Sequence, residues 1–205
     1  MKDEPIWLDQ KFLSELEAKV QQIEWPYQNN VYLLQLRDKA MAALFILTGI
    51  RVSEREQLIR KMFHEYANHI AISEIQPLKH GLPRDEIVLP KTGGLAPFTK
   101  IFAEWLQNVP EPESVIFPKA KPNGEFIWNQ VVGRGRVHQI IKQTTGLFPH
   151  WFRGVCETIY GKIIFKKDAW KLKEFMGLVN LDSTTPYVGG SWTENKREIF
   201  KVKIT

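Results

Sequence analysis

The chain has 205 residues, of which 43% are hydrophobic and 12% aromatic, which is enough for one buried core and excludes a disordered chain. A formal net charge of +5 favours a polyanionic partner, because lysines and arginines near phosphates release counterions. The single Cys156 excludes a disulfide framework and a multi-cysteine zinc site. No signal peptide and no membrane-spanning apolar run are present, so we expect a cytoplasmic (or nucleoid-associated) protein without a membrane partner.

Two amphipathic helices are predicted first. The first covers residues 9–23, with Asp9 as a candidate N-cap and an apolar face formed by Leu13, Leu16, Val20 and Ile23. The second ends at Gly49, a residue typical of C-terminal caps, and its apolar face is formed by Leu33, Leu36, Ala40, Leu44 and Leu47.

Arg51 follows the second helix in a short turn. Ser53 and Glu56 have the spacing of a capping box, which predicts that the next helix begins there. Arg51 would then lie beside a helix N-terminus, where backbone N–H groups also favour an anion. Glu54 is an obvious acidic partner for Arg51 in the same segment.

An alternating pattern between residues 68 and 90 predicts a β-hairpin, with Ile70 and Ile72 in one strand and Ile87 and Leu89 in the other. The connection between the strands is basic and carries Lys79. A helix that begins near Pro97 follows, and its apolar face is assigned to the core: Phe98, Ile101, Phe102 and Trp105.

Residues 114–117 are predicted to form a third short strand, and the basic loop 119–124 is a candidate for phosphate contact. Residues 133–136, Gly-Arg-Gly-Arg, lack the Lys-Ser/Thr ending of a phosphate loop and are interpreted as the start of a basic helix. The whole pattern predicts a mainly α fold with a small antiparallel β-sheet, that is, an α+β class.

The last quarter of the chain holds the residues best suited to chemistry. His150 and Arg153 are three residues apart, so a helix would place them on one face, and Asp168 can cap the helix that follows. Tyr187 comes after a polar turn. A phenol titrates near pH ~10, so a tyrosine is a nucleophile at neutral pH only where cations stabilise the developing charge. Arg51, His150 and Arg153 are the candidate cations.

In this order and spacing, the motifs resemble those of the tyrosine recombinases (the phage-integrase family). Arg51 matches the arginine of a T-G-[LI]-R-x-S-E segment, and His150 and Arg153 match H-x-x-R. Leu178 stands where the family has histidine or tryptophan, and Tyr187 follows it by nine residues, the spacing that the family uses. The resemblance runs from about residue 7 to residue 187, nearly the whole chain.

The resemblance implies a metal-independent enzyme whose catalytic residues are Arg51, Lys79, His150, Arg153 and Tyr187. Tyr187 would attack a DNA phosphodiester and form a 3′-phosphotyrosyl link, with no cofactor. The two arginines would hold the non-bridging oxygens, and His150 would accept a proton or contact the phosphate. Lys79 would protonate the leaving oxygen, with Lys91 as its rival. The implied partners are double-stranded DNA and further protomers, as a dimer or tetramer on DNA.

The implied domain organisation is a catalytic domain over residues 1–190 and a C-terminal tail, 191–205, that docks on a neighbouring protomer. Typical members of the family also carry an N-terminal core-binding domain, whereas this chain starts at the first helix of the catalytic domain. Two explanations stay open: a piece of a longer protein, or a minimal enzyme that relies on partners.

Three functions remain as alternatives. The first is a site-specific recombinase or integrase, and the second is a type IB topoisomerase-like enzyme with the same chemistry. The third is a DNA-binding protein with weak or no catalysis, which Leu178 keeps open. Taken singly, each of these residues also has an ordinary role, such as a structural histidine, a packed tyrosine or a surface cation. Four histidines, His64, His69, His80 and His138, do not have metal-ligand spacing, so a metal site is not expected.

Overall fold

The structure is a computed structural model, and the residues it describes are 10–22, 31–73, 75–77, 81–145 and 148–184. Four features predicted from the sequence lie outside these ranges: the Asp9 cap, Lys79, Tyr187 and the tail 191–205. These four features therefore stay predictions.

The described residues form six α-helices and two small antiparallel sheets, which confirms the predicted α+β class. The helices are α1 (Gln10–Gln21), α2 (Val31–Thr48), α3 (Ala96–Leu106), α4 (Arg134–Thr145), α5 (Pro149–Thr158) and α6 (Ala169–Met176). The strands are β1 (Phe63–Glu65), β2 (His69–Ile72), β3 (Ile87–Pro90), β4 (Pro118–Ala120) and β5 (Phe126–Val131). None of the helices in these ranges has the length and apolarity to span a bilayer.

Helix α2 is the centre of the core. Every residue from Ala40 to Thr48 is buried, and the helix packs mainly against α3 and α5. The sequence pattern predicted an apolar stripe on one face of this helix, whereas in the structure the second half of the helix is buried on all sides. The helix ends before Gly49, which has a left-handed φ of +57°, as the predicted C-terminal cap requires.

The predicted hairpin is confirmed and belongs to a three-stranded sheet in the order β1-β2-β3. Strands β2 and β3 are antiparallel, with Ile70 opposite Leu89 and Ile72 opposite Ile87. Beyond the strands, an isolated bridge between Ile75 and Arg84 closes the connection of residues 76–83. Strand β1 was not predicted, because three residues are too few for a period to be recognised.

The second sheet corrects the prediction for residues 114–124. Val115 makes only an isolated bridge to Ile59, and the strand begins three residues later, at Pro118. Of the predicted basic loop 119–124, residues 119–120 belong to β4, and residues 121–124 lie in the turn of the β4–β5 hairpin, in which Lys121 N donates to Glu125 O at 2.8 Å. Backbone pairing with Phe126–Val131 therefore decided which residues became a strand.

One predicted cap is wrong and another is confirmed. Ser53 has a helical backbone (φ −71°, ψ −38°) and makes no capping hydrogen bond through its side chain. The segment after it, Glu54–Gln57, is a single 3₁₀ turn, so Arg51 is not beside the N-terminus of an α-helix. Asp168 does cap α6, because its Oδ1 accepts hydrogen bonds from Trp170 N (3.0 Å) and Lys171 N (3.1 Å).

Candidate active site

Arg51 lies three residues after the end of α2 and is held by Glu54. Its Nη1 forms an ion pair with Glu54 Oε1, and its backbone N donates to Glu54 Oε2 at 3.0 Å. The Glu54 side chain is almost completely buried, whereas that of Arg51 remains 31% exposed. The predicted local partner is thus present, and it fixes the direction of a guanidinium that still reaches solvent.

Arg153 lies on α5 and joins the ends of two other helices. Its Nη1 donates to Gly49 O at 2.6 Å, and its Nη2 donates to Met176 O at 3.4 Å. Its Nε lies 3.0 Å from Glu157 Oε1, one helical turn further along α5. With described residues, the guanidinium thus donates two hydrogen bonds to backbone carbonyl groups and forms one ion pair.

The two arginines therefore meet at one turn of the chain. Arg153 binds the carbonyl of Gly49, and Arg51 follows Gly49 by two residues. Burial lowers the pKa of Arg153, Glu157 opposes this shift, and the like charge of Arg51 lowers that pKa further. Arg153 remains protonated at neutral pH, because the ordinary pKa of arginine is far above that range.

His150 is exposed in the first turn of α5. The helix begins at Pro149, where proline suits the first position, and it places His150 one turn before Arg153 on the same face. The predicted H-x-x-R pair is thus carried by one helix. The histidine points toward solvent-accessible space, and the arginine is anchored in the protein.

Leu178 follows the C-terminal cap of α6. Gly177 has a φ of +62°, and two hydrogen bonds close a Schellman motif: Gly177 N to Glu174 O (3.0 Å) and Leu178 N to Lys173 O (2.9 Å). The Leu178 side chain is partly buried and packs against the hydrophobic core. At the position where the family has a hydrogen-bond donor, this chain therefore has an apolar contact.

The connection that carries Lys79 approaches the same region. Leu82 N donates to Gly177 O at 3.0 Å. A β-carbon at Gly81 would lie 3.8 Å from Arg51 Nη1. The described end of this connection is thus bonded to the α6 cap and lies near Arg51.

Lys91, the rival of Lys79, lies at the other end of the sheet. It follows Arg84 by seven residues of largely extended chain, which span up to roughly 23 Å. Its Nζ donates to Tyr66 O at 2.6 Å. Lys91 is thus bound to a loop beyond the strands, away from the bridge between Ile75 and Arg84.

Two residues at the site were missed in the sequence. Arg84 is 3% exposed and donates to Thr48 O and Phe175 O, both at 2.6 Å, and burial lowers its pKa to about 10. Nothing in the basic connection marks Arg84 as buried, so no sequence signal would have found it. Glu157 could have been found, since it follows Arg153 by four residues in a helix.

The arrangement presents two guanidiniums, one of them partly exposed, beside an exposed histidine. Guanidinium forks match the geometry of phosphate oxygens and can donate two parallel hydrogen bonds. Within the described ranges, no group of three His, Cys, Asp or Glu side chains is placed to hold a metal ion. The chemistry that these side chains support is the binding of an oxyanion and proton exchange near it.

Several solved structures share this fold. A XerH site-specific recombinase bound to a palindromic difH substrate matches 97% of this chain and 54% of its own, with a TM-score of 0.67 and 16% identity. A XerA recombinase matches 100% of this chain and 68% of its own (TM-score 0.61, 13% identity). The Tn1549 transposon integrase in complex with transposon right end DNA matches 98% and 67% (TM-score 0.58, 17% identity).

The chain spans about half the length of the XerH recombinase. No protein-family model matches the sequence, and no curated protein matches it either. At 13–18% identity over the recombinase structures, the similarity concerns the fold. The fold of this chain is that of the tyrosine recombinase catalytic domain, as the sequence resemblance predicts.

Proposed function

We propose that this chain is the catalytic part of a site-specific DNA recombinase or integrase that cleaves and rejoins DNA through a 3′-phosphotyrosyl intermediate on Tyr187. The observation that carries the proposal is the hydrogen bond from Arg153 to Gly49 O, two residues before Arg51. It brings together two arginines from distant parts of the sequence, on a fold that XerH and the Tn1549 integrase share in complexes with DNA.

The proposed reaction is an in-line displacement at phosphorus. The Tyr187 oxygen attacks, the bond between phosphorus and the 5′ oxygen breaks, and the phenolic proton passes to His150 or to water. Lys79 supplies a proton to the departing 5′ oxygen. Because the phosphotyrosyl bond keeps the energy of the phosphodiester, a 5′-hydroxyl can reverse the reaction, and no metal or nucleotide is needed.

In this scheme the arginines stabilise the charge on the non-bridging oxygens. A guanidinium has five N–H groups, of which Arg153 uses two in hydrogen bonds to described residues, and Arg51 is partly exposed. Glu54 and Glu157 hold the two guanidiniums in place before substrate arrives, which avoids reorganisation during the reaction. Loss of one such donor typically slows a reaction by about 10²–10³-fold.

Tyr160 is the rival tyrosine in the same region, and its surroundings argue against it. It is buried and stacked on Phe175, with 3.9 Å between ring centroids. Burial raises its pKa above the ordinary value of a phenol, so the nucleophilic phenolate is disfavoured. This supports Tyr187 as the nucleophile.

The surroundings of the 76–83 connection support Lys79 as the proton donor. Lys79 precedes Gly81 by two residues, and the β-carbon position of Gly81 is 3.8 Å from Arg51 Nη1. Lys91 is bound to Tyr66 O at the far end of β3. We therefore assign the proton donor to Lys79.

The partners and the organisation of the chain belong to the same proposal. The partner is double-stranded DNA, bound by a dimer or tetramer, and the net charge of +5 favours contact with its phosphates. Residues 1–190 form the catalytic domain, and the tail 191–205 docks on a neighbouring protomer. The protein acts in the cytoplasm or at the nucleoid.

A DNA-binding protein with weak catalysis is the second candidate. The observation in its favour is Leu178, whose side chain packs on the core and cannot donate a hydrogen bond to phosphate. Such a protein would bind DNA as tightly as an active recombinase and form covalent adduct slowly.

The deciding experiment is the trapping of covalent protein–DNA adduct on a library of nicked duplexes with randomised sequence, resolved on a denaturing gel. The wild-type protein should form adduct, and Tyr187→Phe should lose it while keeping its DNA affinity, because only the attacking oxygen is removed. Tyr160→Phe is the matched control and should keep the adduct. Adduct that persists in Tyr187→Phe would overturn the assignment, and recombination between two sites would separate a recombinase from a topoisomerase-like enzyme.

A further inference from the structure

Arg84 connects three separate segments beside the candidate active site. Its backbone pairs with Ile75 in both directions, N to O at 3.0 Å and O to N at 2.8 Å, which closes the connection 76–83. Its Nη2 donates to Thr48 O in the last residue of α2, and its Nε donates to Phe175 O in the last turn of α6. Its guanidinium also lies over the Phe175 ring, 5.0 Å from the centroid.

These contacts lie close to the proposed catalytic residues. Thr48 is three residues before Arg51, and Phe175 is three residues before Leu178. The connection that Arg84 closes contains Lys79, and a β-carbon at Gly81 would lie 3.8 Å from Arg51 Nη1. A single side chain thus links the segments that carry three of the predicted site positions.

The burial of Arg84 is costly, which indicates that the contacts are specific. Among the described residues its Nη1 has no hydrogen-bond partner, and burial lowers its pKa to about 10. The side chain is still protonated at neutral pH. A leucine or methionine would fill the same space without this cost, but neither could donate to two carbonyl groups at once.

We infer that Arg84 is a positioning residue: it holds residues 81–84, the described end of the connection that carries Lys79, against the ends of α2 and α6, and proton transfer to the leaving oxygen depends on this hold. The inference rests on the proposed function, since Lys79 acts there as the proton donor. Arg84 itself does not touch the phosphate. Arg84 affects cleavage indirectly, through the protonation of the leaving 5′ oxygen.

Arg55 provides a matched control. It too is a buried guanidinium, 1% exposed, with an Nη1 that has no partner among the described residues and a pKa lowered to about 10 by burial. Its Nη2 donates to Val132 O at 2.8 Å and its Nε to Val52 O at 3.4 Å, so these bonds do not reach the 76–83 connection. A lysine at either position keeps the charge and removes the fork, so the two variants release different segments.

The test compares two nicked substrates drawn from the duplexes that form adduct: one with the ordinary 5′ oxygen and one with sulfur at that bridging position. Sulfur leaves without a proton, so its cleavage does not need Lys79. Arg84→Lys should slow cleavage of the oxygen substrate roughly tenfold or more, part of the ~10²–10⁴-fold that a positioned acid contributes. Cleavage of the sulfur substrate should change by less than about threefold, because this leaving group does not need the acid.

The ratio of the two cleavage rates decides the outcome. Arg55→Lys should leave this ratio as in the wild type, even where it reduces stability. An Arg84→Lys protein that cleaves both substrates more slowly by the same factor would overturn the inference while leaving the proposed function intact. Wild-type protein that forms no adduct with any duplex of the randomised library would overturn both.

If Arg84→Lys does not fold, Phe175→Leu answers the same question. It removes the ring below the guanidinium and leaves the carbonyl that accepts its hydrogen bond. A selective loss on the oxygen substrate supports the inference, and an unchanged ratio overturns it.

Discussion

Gly177→Ala tests the packing between the α6 cap and the 76–83 connection. Gly177 has a left-handed backbone, with φ of +62° and ψ of 40°. A β-carbon there would lie 2.6 Å from Leu82 O and 2.8 Å from Arg84 Cγ, both well inside van der Waals contact. Neither neighbour moves easily, because Leu82 contributes backbone and Arg84 is tied to two carbonyl groups.

The expected loss of stability has two parts. The left-handed conformation costs a residue with a β-carbon about 1–2 kcal/mol relative to glycine. Forcing one extra carbon into an occupied site costs roughly 1–3 kcal/mol more. We therefore expect Gly177→Ala to reduce the free energy of unfolding by about 2–5 kcal/mol, a large share of the ~5–15 kcal/mol of a typical domain.

The assay is equilibrium unfolding in urea, followed by tryptophan fluorescence, and two alanine variants serve as controls. Gly93 has a φ of +76° but no atom within 4 Å of its β-carbon position, so Gly93→Ala should lose only the conformational part, about 1–2 kcal/mol. Gly154 lies inside α5 with free space around it, so Gly154→Ala should stabilise the protein by roughly 0.5–1 kcal/mol.

The difference between Gly177→Ala and Gly93→Ala measures the contact with residues 82–84. If the two variants lose the same stability, that contact does not exist, and the reasoning that places the connection against α6 is refuted. A change in the slope of the urea dependence would indicate an altered unfolded or native state and not a local clash.

Three further predictions follow from single residues. Leu178→His should raise the single-turnover cleavage rate about ten- to hundredfold at unchanged DNA affinity, because a hydrogen bond to a charged group contributes about 1.5–3 kcal/mol; an equal rate in a folded variant would show that the donor is supplied elsewhere. Cys156 is fully buried and its pKa is raised to about 12, so a thiol reagent should label it only as fast as the protein opens, and rapid labelling of native protein would contradict its burial. Asp168→Ala should lower stability in urea above pH ~4, where the wild-type carboxylate is charged in both states. Hydrogen bonds from the backbone of Lys171 hold the pKa of Asp168 below its ordinary value, so the difference should disappear as pH falls through that lowered pKa, and a difference that persists in acid would argue against the charged cap.

Local chemistry was sufficient to predict most helices and their ends. The cap at Asp168, the proline in the first turn of α3 and the left-handed Gly49 all depend on residues within one turn of each other. Such interactions are nearly independent of the rest of the fold, which is why the sequence alone determined them. The order of the motifs likewise sufficed to recognise the recombinase fold.

Interactions between distant segments decided the rest. Residues 118–120 became a strand because Phe126–Val131 pairs with them, while residues 114–117, with the stronger apolar pattern, did not. The capping box at Ser53 did not form, and the carboxylate of Glu56 instead accepts two hydrogen bonds from Arg134, a residue of α4. A single sequence carries little information on which segments will pair.

The candidate site shows the same division. The sequence by itself determined which residue types are available, namely Arg51, His150 and Arg153 in a recognisable order. Only the tertiary structure decided that Arg153 donates to the carbonyl groups of Gly49 and Met176 and pairs with Glu157. It likewise decided that Arg84 is buried between α2 and α6. The physical reason is that an arginine side chain can either be solvated at the surface or donate hydrogen bonds to backbone carbonyl groups in the interior. Its role therefore depends on which helix ends the fold brings within its reach.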